Sequence, residues 1–135
     1  MTTSPVLSGK VLDVPAIADL ATGQTQFMRA VAYTAAIRGD TLIVPAAALM
    51  EAAAQLHSAG VSELHWLVDS AHVVVDPVTA VSAFAAAAEA AQHHHGDLVC
   101  GHVGAVARAR HWPIITSSSR GPEWTKAGHR VNLLP

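Results

Sequence analysis

The sequence predicts an α/β fold, a three-layer α/β/α sandwich in which helices cover both faces of a mainly parallel sheet of four or five strands. Short apolar runs of strand length alternate along the chain with longer, alanine-rich segments of helical length. Because a helix separates consecutive strands, the connections are crossovers, which join parallel strands. The chain has 135 residues, of which 51% are hydrophobic, so residues 1–135 are expected to form a single domain with a substantial core.

Five short apolar segments are predicted to be the strands. They are residues 10–14, 41–44, 72–75, 113–116 and 131–134. Most are rich in Val, Ile and Leu, as is typical of strands that are buried on both faces. Asp13 lies at the end of the first segment, and Pro45 directly follows the second, where it fits the start of a helix.

Six segments between these runs are predicted to be helical. They are residues 15–21, 25–38, 46–58, 62–69, 77–92 and 98–110. Ser62 and Asp97 are expected to cap the starts of the fourth and sixth helices, and Gly23 and Gly39 to end the first two. Residues 117–121 are expected to form a polar loop.

The composition excludes several classes of protein. Mean hydropathy is +0.34 and only 13% of the residues are charged, which excludes an intrinsically disordered chain. No apolar run reaches the roughly 18 residues of a membrane-spanning helix, and Met1 to Ser8 lacks the pattern of a secretion signal. A single cysteine, Cys100, excludes an intrachain disulfide and any zinc site made of several cysteines. We therefore expect a soluble, cytoplasmic protein with no membrane partner.

Charge is unevenly distributed along the chain. Residues 1–100 hold three basic and nine acidic side chains, a net charge of −6, whereas residues 101–135 hold five basic and one acidic, a net charge of +4. This asymmetry permits an anion-binding face near the C-terminus, although a solvated basic surface is the alternative. Four candidate side chains for binding phosphate or RNA lie there: Arg108, Arg110, Thr116 and Arg120.

Two further features of the same region could serve a nucleotide ligand. Trp112 and Trp124 could stack on bases, or they could fill the core. The hydroxyl-rich turn at residues 117–121 could hold an anion on its backbone N–H groups and on Arg120.

Two carboxylates are expected at one edge of the sheet. Asp13 ends the first strand, and Glu51 lies two turns into the helix that follows the second strand. Because ligands bind beyond the carboxyl ends of parallel strands, both are candidate catalytic groups and ligands for Mg²⁺ or Mn²⁺. Two acids alone make a weak site. The alternative roles are a carboxylate at a helix N-terminus for Asp13 and an exposed helix side chain for Glu51.

Several stretches of the sequence resemble the PIN-domain family. They are Val11-Leu12-Asp13, Leu42-Ile43-Val44-Pro45 leading to Glu51, residues 101–108, and residues 112–116. More narrowly, the chain is similar to the VapC-like toxin ribonucleases of bacterial toxin–antitoxin pairs. The resemblance covers nearly the whole chain. It implies a PIN-like fold, RNA cleavage by metal-activated water, a homodimer, and an antitoxin helix as partner.

At the four acid positions of that family, the sequence keeps two acids and lacks two. The resemblance places the first two on Asp13 and Glu51, and the third and fourth on Cys100 and Ser118. Asp97, one helical turn before Cys100, could take the third position as a catalytic residue, or it could act only as a helix cap. Because a thiol and a hydroxyl are poor ligands for Mg²⁺, we expect no bound metal or only weakly bound Mg²⁺ or Mn²⁺.

Two classes of function follow from this pattern. The first is a non-catalytic or weakly active regulatory or interaction module with a degenerate active site, which could bind RNA or a nucleotide. The alternative is an active Mg²⁺- or Mn²⁺-dependent endoribonuclease that uses Asp13, Glu51 and Asp97.

Three other features have both a functional and a structural interpretation. The histidines at positions 93–95 could bind a transition metal or form a polar loop tip. Cys100 could be a nucleophile or redox-responsive group near His102 or His95, or it could pack in the core. The helices in residues 15–38 and 46–58 carry few charges, which predicts an interface in a homodimer or with an antitoxin-like or other protein partner. Close packing within one monomer is the alternative.

Overall fold

The structure, a computed structural model, describes residues 8–135. The strands in this range are β1 (Gly9–Leu12), β2 (Thr41–Pro45), β3 (Val73–Asp76), β4 (Ile114–Thr116) and β5 (Val131–Leu133). They form one all-parallel sheet in the order β3-β2-β1-β4-β5, which confirms the predicted fold class. The expectation that Met1 to Ser8 holds no secretion signal rests on residues 1–7, which lie outside the described residues.

Helices connect the strands and complete the three layers. The helices of residues 8–135 are α1 (Val14–Thr22), α2 (Phe27–Arg38), α3 (Ala46–Gln55), α4 (Ser58–Val68), α5 (Ala80–His93), α6 (Leu98–Arg110) and α7 (Gly121–Lys126). None of the helices in this part of the chain is long and apolar enough to cross a membrane.

β1 is the central strand of the sheet, between β2 and β4. Leu12 at its end is paired with Ile115 of β4, and both side chains are fully buried in the core. Since the two strands are parallel, the next residues, Asp13 and Thr116, lie side by side at the carboxyl edge of the sheet. This register positions the candidate site.

Several predicted boundaries are wrong. β1 ends at Leu12, and Asp13 is the residue that caps α1 rather than part of the strand. The fifth helix begins at Ala80 rather than Pro77, because Thr79 and Ser82 form a reciprocal capping box at its start. The residue before a proline disfavours helical backbone, so Asp76 continues β3 instead.

The predicted helix start at Ser62 is also wrong. The preceding helix ends early, at Gln55, and α4 begins at Ser58 with His57 at its N-cap position. Gly60 therefore lies inside α4, where a side chain would meet the Leu56 Cβ at 3.2 Å. The glycine marks a close contact between the ends of two helices rather than a break.

The sequence analysis missed α7, a helix of six residues directly after the predicted polar loop. Pro122 lies in its first turn, which is a recognisable start signal. However, two helical turns are too few to show the periodicity of a longer amphipathic helix. This short helix buries Trp124 and follows immediately after Arg120.

Candidate functional site

Asp13 is the centre of the candidate site. Its side chain is fully buried (0% exposed), although the residue lies at the carboxyl edge of the sheet. The backbone of Asp13 is extended, and its Oδ1 accepts a hydrogen bond from the Val14 N–H at 2.8 Å. Asp13 therefore caps α1, where the helix dipole also favours a negative charge.

Three side chains from the last quarter of the sequence donate hydrogen bonds to the same carboxylate. Thr116 Oγ1 donates to Asp13 Oδ2 at 2.8 Å, and Trp124 Nε1 donates to that oxygen at 3.0 Å. Arg120 binds both oxygens, through Nε at 2.7 Å from Oδ2 and through Nη2 at 3.2 Å from Oδ1. In the described chain, five donor atoms thus converge on the two oxygens of Asp13.

Arg120 also contacts Cys100, the residue that the resemblance placed at the third acid position. Its Nη2 lies 3.2 Å from the Cys100 Sγ. Burial raises the pKa of the Cys100 thiol to about 12, and the nearby charges of Asp97 and Asp13 act in the same direction, against Arg120. The thiol is therefore protonated at neutral pH, which makes it a weak nucleophile.

Neither of the two histidines expected near Cys100, His102 and His95, makes a hydrogen bond with its thiol in the described part of the chain. His102 is buried, and its Nδ1 accepts a hydrogen bond from the Ala47 N–H at 3.3 Å. Its Nε2 faces Asp76 Oδ2 at 3.4 Å, not the thiol. His95 is exposed.

The other predicted acid-position residues do not bind the Asp13 carboxylate. Asp97 is exposed and caps α6 by accepting a hydrogen bond from the Cys100 N–H at 3.0 Å, which confirms its expected role as a helix cap. Glu51 is half-buried on α3, and its side chain makes no hydrogen bond or ion pair within residues 8–135. Ser118 lies exposed in the turn before α7.

This arrangement does not fit the Mg²⁺ or Mn²⁺ ion that the family resemblance implies. A carboxylate has about four lone-pair positions, and the donors of Val14, Thr116, Arg120 and Trp124 already occupy the oxygens of Asp13. The positively charged Arg120 guanidinium is bound to both oxygens and would repel a dication. An oxygen-seeking ion could bind Asp13 only after several of these bonds had broken.

A second buried carboxylate, Glu89 on α5, forms a separate cluster that the sequence analysis missed. Arg108 donates to Glu89 through Nε at 2.6 Å from Oε1 and Nη2 at 2.9 Å from Oε2. The Nε2 atoms of His94 and His129 lie 3.0 and 3.2 Å from Oε2. Burial alone raises the pKa of Glu89, but the hydrogen bonds of Arg108, His129 and His94 outweigh it and lower the pKa to about 2.

Trp124 lies between the two carboxylate clusters. Its indole donates to Asp13 at 3.0 Å, and its ring packs against His94 and His129 with centroid distances of 4.9 and 5.6 Å. Only 2% of Trp124 is exposed. Of the two roles that the sequence left open for Trp124, stacking on a base or filling the core, the structure therefore shows the second. No sequence signal joins Glu89 to His129, because the residues lie 40 positions apart.

The candidate phosphate-binding groups are largely engaged within the protein. Arg108 binds the buried carboxylate of Glu89, Arg120 binds that of Asp13, and Arg110 lies 3.7 Å from Asp76 Oδ1. In the turn at residues 117–121, the N–H groups of Arg120 and Gly121 donate to the Ser117 carbonyl oxygen. Those N–H groups are therefore not free to hold an anion.

Comparisons with known proteins give a structural match but no sequence family. No family model matches the chain, and no curated protein matches its sequence. A solved structure of VapBC2 from Rickettsia felis, bound to a DNA fragment from the VapBC2 promoter, is similar to this chain with a TM-score of 0.68. The match covers 93% of this chain and 98% of that chain at 10% sequence identity. At that identity the likeness concerns the fold, and it agrees with the expected PIN-like three-layer sandwich.

Proposed function

We propose that the chain is a PIN-like domain with a decayed metal site, which acts as a non-catalytic or weakly active regulatory or interaction module. The observation that carries this proposal is the closed hydrogen-bond shell of Asp13. A metal-dependent nuclease needs anionic oxygens that remain open to a dication and to water. Here Arg120 neutralises the first acid internally, while a protonated thiol and a hydroxyl stand at the third and fourth acid positions.

An RNA-cleavage assay with matched variants tests the loss of activity. The purified chain is incubated with a mixture of single-stranded RNAs in Mn²⁺, beside the variants Asp13→Asn, Glu51→Gln and Asp69→Asn. Asp69 is an exposed aspartate at the end of α4, and it serves as the control. We expect all four proteins to cleave the RNA no faster, or only slightly faster, than the Mn²⁺-free reaction does. Rapid cleavage of most of the RNA by the wild type, which Asp13→Asn and Glu51→Gln abolish and Asp69→Asn preserves, would contradict the proposal.

An active Mg²⁺- or Mn²⁺-dependent endoribonuclease of the VapC-like type is the second candidate. It is favoured by the position of Asp13 beside Thr116 at the carboxyl edge of the sheet, with Glu51 and Asp97 available on α3 and before α6. In this case Arg120 must leave Asp13 when metal and RNA bind. Titration with Mn²⁺ by calorimetry separates the candidates, since only the second predicts binding that Asp13→Asn abolishes.

The module is proposed to act through a protein partner, with a second copy of the chain as the first candidate. Large apolar side chains lie exposed on the helices that the sequence predicted to be an interface: Tyr33, Ile37 and Met50 are 71%, 68% and 69% exposed. Beside Met50, an apolar groove runs between α3 and α4. Because the similar solved structure is of VapBC2, an antitoxin-like protein is the alternative partner.

Sedimentation equilibrium tests the homodimer. We expect the wild type to be a dimer at micromolar concentration and Met50→Glu to be monomeric. Val81→Glu is the control, because Val81 is apolar and 81% exposed but lies on α5, outside residues 15–38 and 46–58 that are predicted to form the interface. If the wild type sediments as a monomer, the proposal that a second copy of the chain is the partner is wrong.

RNA or a nucleotide is the remaining partner in this proposal. Its support is Arg110, whose guanidinium carbon lies 5.7 Å from the centre of the Trp112 ring at the end of α6. A cation over an aromatic ring offers both charge and a stacking surface. Fluorescence anisotropy with labelled RNA should show binding that weakens in Arg110→Gln and with rising salt concentration. RNA binding that is unaffected by Arg110→Gln and by salt concentration would count against RNA as the ligand.

A further inference from the structure

We propose that Glu89, His94 and His129 form a binding site for a borderline transition-metal dication, with Zn²⁺ as the model ion. This site is separate from the strand-end carboxylates, and it does not depend on whether the domain cleaves RNA. Two imidazoles and one carboxylate are ligands that suit Zn²⁺, Co²⁺, Ni²⁺ and Cu²⁺, whereas Mg²⁺ prefers oxygen alone.

The ligand atoms already converge. The Nε2 atoms of His94 and His129 lie 3.0 and 3.2 Å from Glu89 Oε2, and the three atoms all lie within 4.8 Å of one another. Tetrahedral zinc with bonds of about 2.0–2.1 Å separates its ligand atoms by about 3.3–3.4 Å. A bound ion therefore requires only small movements of the three side chains.

The three ligand side chains are buried and held by their surroundings. Glu89 and His94 are each 5% exposed and His129 is 4% exposed. Trp124 packs on both imidazole rings, and the rings of His94 and His129 lie nearly parallel, with an angle of 15° between their planes. Rigid placement lowers the entropy lost on binding an ion.

A glycine in the middle of α6 leaves room for the carboxylate. A Cβ atom at Gly104 would lie 2.8 Å from Glu89 Oε2, so any larger residue would push the carboxylate out of its position. Glycine is a poor helix former. Its presence here is explained by the close approach of α5, which carries the carboxylate.

Arg108 already supplies a cation to this site. Its side chain is 45% exposed, in contrast to the three ligands, so it can turn into solvent when a metal ion takes its place on Oε2. In the metal complex each imidazole binds through the lone pair of Nε2 and carries its hydrogen on Nδ1. The guanidinium therefore competes with the ion, and its removal should strengthen metal binding.

The ion can reach His94 from a neighbouring cavity. This cavity of about 370 Å³ is lined by His93, His94, His95, Asp97 and Lys126, among others. It provides a route from solvent and space for a water molecule as fourth ligand.

The test uses Co²⁺ as a spectroscopic probe for zinc. The full-length chain is produced without a histidine tag, treated with a chelator, and titrated with Co²⁺ while the visible absorption of the tetrahedral ion is followed. Zn²⁺ is then added to displace it. Five variants are compared with the wild type: His94→Ala, His129→Ala, Arg108→Gln, and the controls His93→Ala and His95→Ala, which change exposed neighbours of His94.

We expect one Co²⁺ per chain, displaced by Zn²⁺, with affinity reduced about tenfold or more in His94→Ala and His129→Ala. Arg108→Gln should bind more tightly than the wild type, a gain that a misfolded variant would not show. The two control variants should bind as the wild type does. Absence of binding in both the wild type and Arg108→Gln would overturn the proposal. Binding that is lost in His93→Ala and His95→Ala but kept in His129→Ala would also overturn it, because the exposed histidines would then be the ligands.

Discussion

At the scale of single residues, the buried Asp13 carboxylate needs the hydrogen bonds of its neighbours, and those neighbours need the carboxylate as their acceptor. The carboxylate caps α1 and accepts hydrogen bonds from Thr116, Arg120 and Trp124. Burial lowers the pKa of Arg120, but the charges and hydrogen bonds of Asp13 and Cys100 together outweigh burial, so the pKa of Arg120 lies above its ordinary value. Loss of the carboxylate would leave a guanidinium and an indole N–H partly buried without an acceptor. The groups that bind Asp13 therefore also stabilise the fold.

The substitution Asp13→Ala should lower the free energy of unfolding by roughly 2–4 kcal/mol, because it leaves Arg120 uncompensated and removes a helix cap. This range allows for the one-third exposure of the Arg120 side chain. Urea unfolding followed by circular dichroism gives the value. Asp97→Asn is the control, since asparagine also caps helices and Asp97 is exposed; its effect should be well under 1 kcal/mol. Equal effects of the two substitutions would contradict this account of Asp13.

The raised pKa of Cys100 gives a second prediction at this scale. With a pKa of about 12, the thiol stays protonated at a pH of about 8, whereas an unfolded cysteine with its ordinary pKa is partly ionised. Iodoacetamide should therefore alkylate the folded chain at least tenfold more slowly than the chain unfolded in urea, as measured by mass spectrometry. Equal rates would show that the thiol is neither buried nor held protonated.

At the scale of helices and strands, α5 and α6 pack unusually closely. A Cβ atom at Gly101 would lie 2.3 Å from the Ala86 carbonyl oxygen and 2.7 Å from the Ala90 Cβ. The obstacle includes the backbone of α5, which cannot move as a flexible side chain can. The small residues of these two helices therefore set the distance between them, and this distance in turn brings Arg108 to Glu89.

Gly101→Ala should destabilise the protein by about 1–3 kcal/mol through this overpacking, although alanine favours a helix by about 1 kcal/mol over glycine. Gly60→Ala is the matched control, because Gly60 also lies within a helix but faces only the Leu56 side chain, at 3.2 Å. The control should be neutral or slightly stabilising. Thermal unfolding of both variants measures the difference. A Gly101→Ala variant as stable as the wild type would show that α5 and α6 can move apart without a loss of stability.

Elements with strong local signals were predictable from the sequence, and partners across the fold were not. The β-branched run before Asp76 and the capping residue Asp97 are local features, and the structure confirms the strand and the cap. The α7 helix was missed because it is only six residues long. The contact of Arg120 with Asp13 joins positions 107 apart, so the composition of the turn suggested an anion site but could not show that the anion is Asp13 itself.

At the scale of the whole molecule, Glu89 joins segments that are distant in the sequence. It binds Arg108 on α6, His94 after α5, and His129 before β5, and Arg108 also donates to the Ala127 carbonyl oxygen. Burial lowers the pKa of His129, and its Nε2 lies 3.2 Å from Glu89 Oε2 and 3.1 Å from Arg108 Nη2. A single ionised carboxylate thus ties the last elements of the chain to the α5–α6 pair, which makes global stability sensitive to its protonation.

The fold should therefore lose stability in acid through Glu89. Its pKa falls from 4.5 to about 2 on folding, so the stabilisation is complete above pH 4.5 and is lost as the pH falls through about 2. The shift corresponds to about 3 kcal/mol.

The substitution Glu89→Gln tests this prediction. The variant should be less stable than the wild type at neutral pH, and the difference should shrink as the pH approaches 2. Urea unfolding in the presence of a chelator, which removes any effect of bound metal, measures this at each pH. Asp97→Asn should follow the wild-type curve. A constant difference between wild type and Glu89→Gln would show that the side chain acts through packing rather than charge.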